Sequence, residues 1–326
     1  MSGALPSTTP PSWQSLVVHL LVRARMRRHA LVPIDPSWVR DNMGRPRAAR
    51  RWLAGNGVEV ERMPAVGHWP SGEQVRSPVA TSHSPIVLYL HGGGYIACSP
   101  ETHRMLVASI VRRVGGIAYV PQYRLAPEHP YPAALHDARS AYRHLIDTCG
   151  IAPSRIVIAG DSAGGGLALS LALSLRGDTL PMPAAVVTFS PWTDLASTGS
   201  SLDENSDRCS MFAGDTIRRA AAFYVGGTEP TVPTLSPLYG DFSGLPPILV
   251  HASRDEVLRD DAVRVAARAA AAGVTVSLRL WSRVPHVWQF FAAVLPEARE
   301  SLADAAAFIL HHATTAAAEE RAPPHE

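Results

Sequence analysis

The chain has 326 residues, 46% of them hydrophobic and 18% charged, with a net charge of +2. That length can bury a large core in one domain with an elaboration, and the composition is ordinary for a globular protein. The near-neutral balance gives no case for a nucleic-acid partner.

All 30 basic residues are arginine, which reads as a compositional bias and not as chemistry. Three cysteines, Cys98, Cys149 and Cys209, are odd in number and too scattered for a disulfide framework or a metal site. A cytoplasmic location fits, and neither metal nor organic cofactor is expected.

Charge is uneven along the chain. Residues 1–52 hold nine arginines against Asp35 and Asp41, or +7, leaving −5 for the rest. The stretch "LVVHLLVRARMRRHALV" has the pattern of a basic amphipathic helix. The expected placement packs its Leu/Val face on the body and leaves the arginines in water; contact with an anionic membrane surface is the alternative. Residues 16–22 are too short to span a bilayer, and they precede the arginines, the reverse of a signal peptide. No stable membrane insertion and no secretion signal are expected.

From residue 84 onward, strand and helix patterns alternate. Residues 85–91, "PIVLYLH", read as a buried strand, and 101–115 as a helix ended by glycine. Residues 116–123 are a strand, and 132–150 a helix opened by proline. Residues 155–160 are a β-branched apolar strand followed by an Ala/Leu-rich helix. Residues 184–191 and 245–253 are strands, 258–273 a helix, and 276–281 a strand. Residues 286–313 read as one helix bent near Pro296.

Such alternation predicts an α/β fold, with a mostly parallel, twisted central sheet and helices on both faces. Two segments break the rhythm: residues 1–55, and 195–237, which is polar, briefly helical, then rich in Pro and Thr. Together they are expected to form a helical cap over the site. Residues 315–326 read as a disordered tail.

The first chemical signal is "IVIAGDSAGGGLAL", where Ser162 sits between a buried strand and a helix, flanked by Gly160 and Gly164. This is the G-x-S-x-G nucleophile elbow, a sharp turn that strains the serine backbone and presents its hydroxyl. A serine hydroxyl needs a base, and the base an orienting acid. Of the downstream histidines, His251 falls inside a strand, His311 and His312 in a terminal helix, and His325 in the tail. His286 lies on a loop just past the last strand, where a base is required.

For the acid, Asp255 comes first on the loop after the strand 245–253. Glu256 reaches similar space on a longer arm, and Asp255 is preferred. Asp260 and Asp261 fall inside the next helix, where they suit its dipole or solvent. The loop "HGGGY" after the first core strand supplies backbone donors for an oxyanion, assigned to Gly92 and Gly93 together with Ala163. A phosphate-binding loop is the competing reading of these glycines, and it lacks G-K-[ST]. Tyr95, Trp192 and Phe212 lie near strand ends or in the cap and are candidates to line the substrate pocket.

The motifs "HGGGY", "YRLAPEHPYPAALHDA", "GDSAGG", "SPLYGDFSGLPPILV", "DEVLRDDA" and "PHVWQ" resemble, in this order, those of the hormone-sensitive-lipase-like (family IV) esterases of bacteria. The resemblance runs from about residue 84 to 312. It implies the α/β-hydrolase fold with a helical cap: core residues 56–194 and 238–314, cap residues 1–55 and 195–237. It also implies a serine carboxylesterase acting on short- to medium-chain acyl esters, or lactones, through an acyl-enzyme.

Residue by residue, the resemblance assigns the nucleophile to Ser162, the acid to Asp255, the base to His286, and the oxyanion hole to Gly92, Gly93 and Ala163. Where many members have D-P-L-x-D, this chain has D-E-V-L-R-D. A homodimer is a common arrangement in the family. An amidase or deacetylase with the same triad, or a non-catalytic ligand-binding protein on this scaffold, are the alternatives; the complete Ser–acid–His set argues against the second.

Overall fold

The computed structural model describes residues 5–6, 10–27, 34–43, 57–67 and 69–319. Residues 1–4, 7–9, 28–33, 44–56, 68 and 320–326, which include much of the cap segment expected over 1–55 and the end of the expected tail, lie outside the described residues. The centre is a sheet of nine strands in the order β1-β9-β8-β7-β6-β4-β5-β3-β2. The strands are β1 (Leu5–Pro6), β2 (Glu59–Val66), β3 (Trp69–Arg76), β4 (Ile86–Leu90), β5 (Ile117–Pro121), β6 (Ile156–Asp161), β7 (Ala185–Phe189), β8 (Ile248–Ser253) and β9 (Val276–Trp281).

From β5 to β9 the neighbours run parallel. Strands β4 to β8 are buried along their whole length, as their unbroken β-branched runs require when helices cover both faces. The helices are α1 (Trp13–Met26), α2 (Pro36–Met43), α3 (Pro100–Val114), α4 (Ala133–Asp147), α5 (Ala163–Ser174), α6 (Ser201–Glu204), α7 (Gly214–Val225), α8 (Arg259–Ala271) and α9 (Pro296–Glu319). Of these, α3 and α9 pack over one face of the sheet and α4, α5 and α8 over the other.

The expected core strands and helices from residue 84 to 281 are all present, with ends shifted by up to three residues. Three strands were not expected. The two-residue β1 runs parallel to β9. β2 and β3 pair antiparallel with each other, and β3 with β5. "EVERMPAV" and "WPSGEQVR" each hold a proline and charged residues, so neither shows a clean period of two. β2 lies at the sheet edge and is mostly exposed, where a proline without an N–H is tolerated.

The expected helix over 286–313 is instead a short 3-10 turn, Trp288–Phe291, followed by a new helix that opens at Pro296. Proline fits a first helical turn, because its missing N–H would have no partner there. α9 continues to Glu319, five residues into the stretch expected to be a tail.

The N-terminal helix also differs from its expected placement. Ser12 caps α1 by accepting the Ser15 N–H, and Ser15 is fully buried. The larger apolar side chains of α1 face solvent: Trp13, Leu16, Val17, Leu20 and Leu21 are all exposed. Two of its arginines turn to the body instead, Arg23 to the Asp207 carbonyl and Arg27 to the Asp207 carboxylate. The polar residues of this helix hold contacts to the body, so the orientation inferred from hydropathy alone is reversed. No described helix is long and apolar enough to cross a membrane.

Candidate active site

Ser162 occupies the turn between β6 and α5 with φ 52° and ψ −124°, a conformation that L-residues rarely adopt and that costs free energy. The flanking glycines make the turn possible. A Cβ on Gly160 would lie 2.3 Å from the Gly164 carbonyl oxygen, and one on Gly164 would lie 2.0 Å from that of Leu90. The elbow is anchored by the Ser162 N–H, which donates to the Phe189 carbonyl at 2.8 Å. Ser162 is partly exposed, whereas Asp161 and Ala163 on either side are buried.

His286 follows β9 and is 4% exposed. Its Nδ1 lies 2.5 Å from Glu256 Oε2. Its Nε2 is buried and has no hydrogen-bond partner among the described residues. The acid on His286 is thus Glu256 and not Asp255. Asp255 turns away and accepts the backbone N–H of Arg283 at 2.6 Å. Neighbouring residues on the turn after β8 point to opposite sides. The inward one is Glu256, which is 1% exposed.

The other oxygen of Glu256 is held twice. Oε1 accepts the Ser253 N–H at 2.6 Å and the Ser190 hydroxyl at 2.9 Å. Ser190 was not singled out from the sequence. It sits fully buried at the end of β7 with φ 48°. Its Oγ also accepts the N–H of Val287, the residue after the histidine, at 3.3 Å. Val287 itself has φ 51°, which is unusual for a β-branched residue. One serine side chain therefore ties together the acid loop and the histidine loop.

The glycine loop needs a second correction. The Gly92 N–H donates to Asp161 Oδ1 at 3.1 Å, with His103 Nε2 3.2 Å away. Gly92 is buried, while Gly93 and Gly94 are partly exposed. The Gly92 donor is consumed by Asp161 and is not open to a ligand. The N–H groups of Gly93, Gly94 and Ala163 make no hydrogen bond among the described residues.

The Asp161 carboxylate is braced from three sides. Besides Gly92 and His103, it accepts the Tyr89 hydroxyl at 2.7 Å. Burial works against its ionisation, but the facing His103 and the hydrogen bonds outweigh burial and hold its pKa below the ordinary value. His91 closes the loop from beneath. It stacks on Tyr123 at 4.2 Å, and its Nδ1 contacts the Gly92 carbonyl at 2.8 Å. Burial first, and His103 second, push its pKa down to about 3, so its ring is neutral near pH 7.

Of the three aromatic candidates, Phe212 meets the site: its ring stands edge-on to His286 at 5.3 Å. Tyr95 and Trp192 do not line a pocket. They are 1% and 2% exposed; Tyr95 stacks on Tyr224 at 3.6 Å, and Trp192 packs beside Tyr95 in the core. Both flank the strained turns, which is why they lie near strand ends in the sequence.

Asp260 and Asp261 stand in the first turn of α8, as expected, and they also brace the segment after β7. Asp261 Oδ2 accepts the N–H groups of Thr193 and Asp194 at 2.7 and 2.8 Å, and Asp260 accepts that of Ser201. Cys98, Cys149 and Cys209 are free thiols. Among the described residues no group of three or more His, Cys, Asp or Glu is arranged to hold a metal ion.

Residues 87–290 match a family model described as alpha/beta hydrolase fold. The chain is 41% identical over 253 residues to an acetyl-hydrolase of Streptomyces hygroscopicus, covering 78% of this chain and 83% of that one. It is 31% identical over 297 residues to an esterase of Acinetobacter venetianus, covering 91% and 96%. Among solved structures, EstE5 soaked with p-nitrophenyl butyrate superposes with a TM-score of 0.83 at 35% identity, covering 93% of this chain and 99% of EstE5. An esterase from the bacterial hormone-sensitive lipase family superposes with a TM-score of 0.81 at 36% identity, covering 94% and 100%.

Proposed function

Because the chain belongs to the hormone-sensitive-lipase-like carboxylesterases of the α/β-hydrolase fold, we propose that it cleaves short- to medium-chain acyl esters through Ser162, His286 and Glu256. The contact between His286 Nδ1 and Glu256 Oε2 carries this reading. A carboxylate on Nδ1 fixes the tautomer that leaves Nε2 free to accept a proton.

The steps follow from that arrangement. His286 Nε2 takes the proton of Ser162 Oγ as the oxygen attacks the ester carbonyl carbon. The carbonyl oxygen becomes an anion, held by the N–H groups of Gly93, Gly94 and Ala163. The intermediate collapses, the bond to the alcohol oxygen breaks, and the alcohol leaves with the proton from His286. Water then attacks the acyl-serine, giving its proton to His286, which returns it to Ser162 as the carboxylic acid departs. The Glu256 carboxylate, against Nδ1, stabilises the imidazolium. Phe212, beside His286, borders the substrate. Residues 195–237, with α1 beside them at Asp207, form the cap. The chain-length preference is supported by the acetyl-hydrolase relative and by the butyrate ester soaked into EstE5.

The test is initial rates on p-nitrophenyl esters of increasing acyl length, wild type beside Ser162→Ala. The expected result is a maximum at short chains and a loss of about 10⁴-fold or more in the variant. A wild type no faster than the variant at every length overturns the proposal.

A further inference from the structure

α1 is fastened to the body by its polar side. The Ser12 N–H and Oγ donate to Glu297 at 2.6 and 3.0 Å. The Ser15 hydroxyl donates to the Arg283 carbonyl at 2.5 Å, and Arg23 and Arg27 reach Asp207. Val18 packs inward against a cluster that includes Trp281, Trp288 and Leu295. On the opposite side, Trp13, Leu16, Val17, Leu20 and Leu21 are 70, 36, 44, 63 and 65% exposed. Their spacing places them in one stripe along the helix. Arg25, one turn beyond Leu21 on the same face, is also exposed. The helix contains no acidic residue.

We propose that α1 docks reversibly on an anionic lipid surface, with its apolar stripe at headgroup depth and Arg25 against lipid phosphates. Charge selects this occupant. α1 and its C-cap carry Arg23, Arg25 and Arg27 and no acidic residue, and in sequence residues 1–52 hold nine arginines against two aspartates while the rest of the chain is net negative, a charge pattern that suits an anionic surface. Size argues the same way. Five side chains of one helix expose roughly 500 Å², short of the ~800 Å² per partner of a stable dimer interface, yet sufficient for a helix lying in the membrane plane. Trp13 at one end of the stripe suits the polar–apolar boundary.

The docking does not depend on the esterase reading, but it gives that reading a consequence. Ser15 binds the Arg283 carbonyl, and the Arg283 N–H binds Asp255, next to Glu256. A docked α1 therefore holds the candidate site beside the layer into which apolar esters partition.

The full chain is mixed with vesicles of phosphatidylcholine, or of phosphatidylcholine with phosphatidylglycerol, and sedimented. Wild type is expected in the pellet of the anionic vesicles, with salt weakening the binding. Leu20→Asp with Leu21→Asp is expected to lower the partition coefficient about tenfold or more, with the urea unfolding midpoint unchanged, since both side chains face solvent. Arg25→Glu is expected to weaken binding to anionic vesicles only. Wild type absent from both pellets overturns the proposal, as does binding that neither variant alters. A concentration-dependent dimer in light scattering that Leu20→Asp abolishes also overturns it, and assigns the stripe to a second copy of the chain. Sedimentation requires no turnover, so failure of docking and failure of the esterase reading are separate results.

Discussion

Glu256 Oε2 lies 2.5 Å from His286 Nδ1, while Asp255, one residue earlier, accepts the Arg283 N–H and does not reach the histidine. Glu256→Gln keeps the shape but can present an N–H₂ to Nδ1 and loses the charge that stabilises the imidazolium. It should lower kcat by about 10⁴-fold. Asp255→Asn should cost less than about tenfold in kcat and on the order of 1 kcal/mol in stability. Steady-state kinetics of the two variants decide the matter; the opposite ranking would return the role to Asp255.

Ser190 donates to Glu256 Oε1 and accepts from Val287 N–H, so it positions Glu256 and the loop of His286 at once. Ser190→Ala should lower kcat by roughly ten- to a hundredfold with KM little changed, as expected for misplacement of a catalytic pair. In a Glu256→Gln background the same change should cost much less, because both act through one unit. Equal losses in the two backgrounds would make Ser190 a packing residue only.

Gly92 and Gly94 should behave differently despite standing two residues apart. A Cβ on Gly92 would lie 2.3 Å from Asp161 Oδ2, whereas on Gly94 nothing lies nearer than the Ile96 side chain at 3.8 Å. The Asp161 carboxylate cannot retreat, being held by Tyr89 and His103. Gly92→Ala should cost several kcal/mol in stability through a broken buried network. Gly94→Ala should cost on the order of 1 kcal/mol, for its φ of 64° alone. Urea denaturation midpoints of the two variants test this.

Burial lowers the pKa of His91 from 6.5 to about 3. Below pH 6.5 the unfolded chain binds a proton at this residue that the folded chain refuses, so its contribution to stability falls as pH falls, by about 1.4 kcal/mol per unit. The loss begins near 6.5 and ends near 3. Wild type should lose about 2 kcal/mol from this residue between pH 6.5 and 5. His91→Phe, which can keep the stacking on Tyr123, should be less stable at pH 7 but lack that part of the slope. Denaturant titrations at pH 7 and 5 compare them; an unchanged slope would place the acid sensitivity elsewhere, with His251 as the next buried imidazole whose pKa is lowered.

Much of this molecule was legible in the chain itself, because its signals are local. A β-branched run of five or six residues buried on both faces has few alternatives to a central parallel strand, and β4 to β8 formed where expected. The elbow is a matter of backbone sterics: carbonyl oxygens within 2.3 Å of where a Cβ would stand leave only glycine at 160 and 164. His286 was selected by its position after the last strand. β2, at the sheet edge, and β3, beside it, escaped because strands with prolines and charges carry no clean alternation.

What the sequence by itself determined was the order of the core elements, the strained turn at Ser162 and the loop position of His286, since each is settled by contacts a few residues long or by periodicity. Tertiary structure alone decided that Glu256 and not Asp255 meets His286, that Gly92 spends its N–H on Asp161, that Tyr95 and Trp192 are core, and that α1 turns its apolar face to solvent. Each of these is a question of direction, answered by a partner 30 to 285 residues away. Hydropathy and spacing carry no information about which of two adjacent side chains will find that partner.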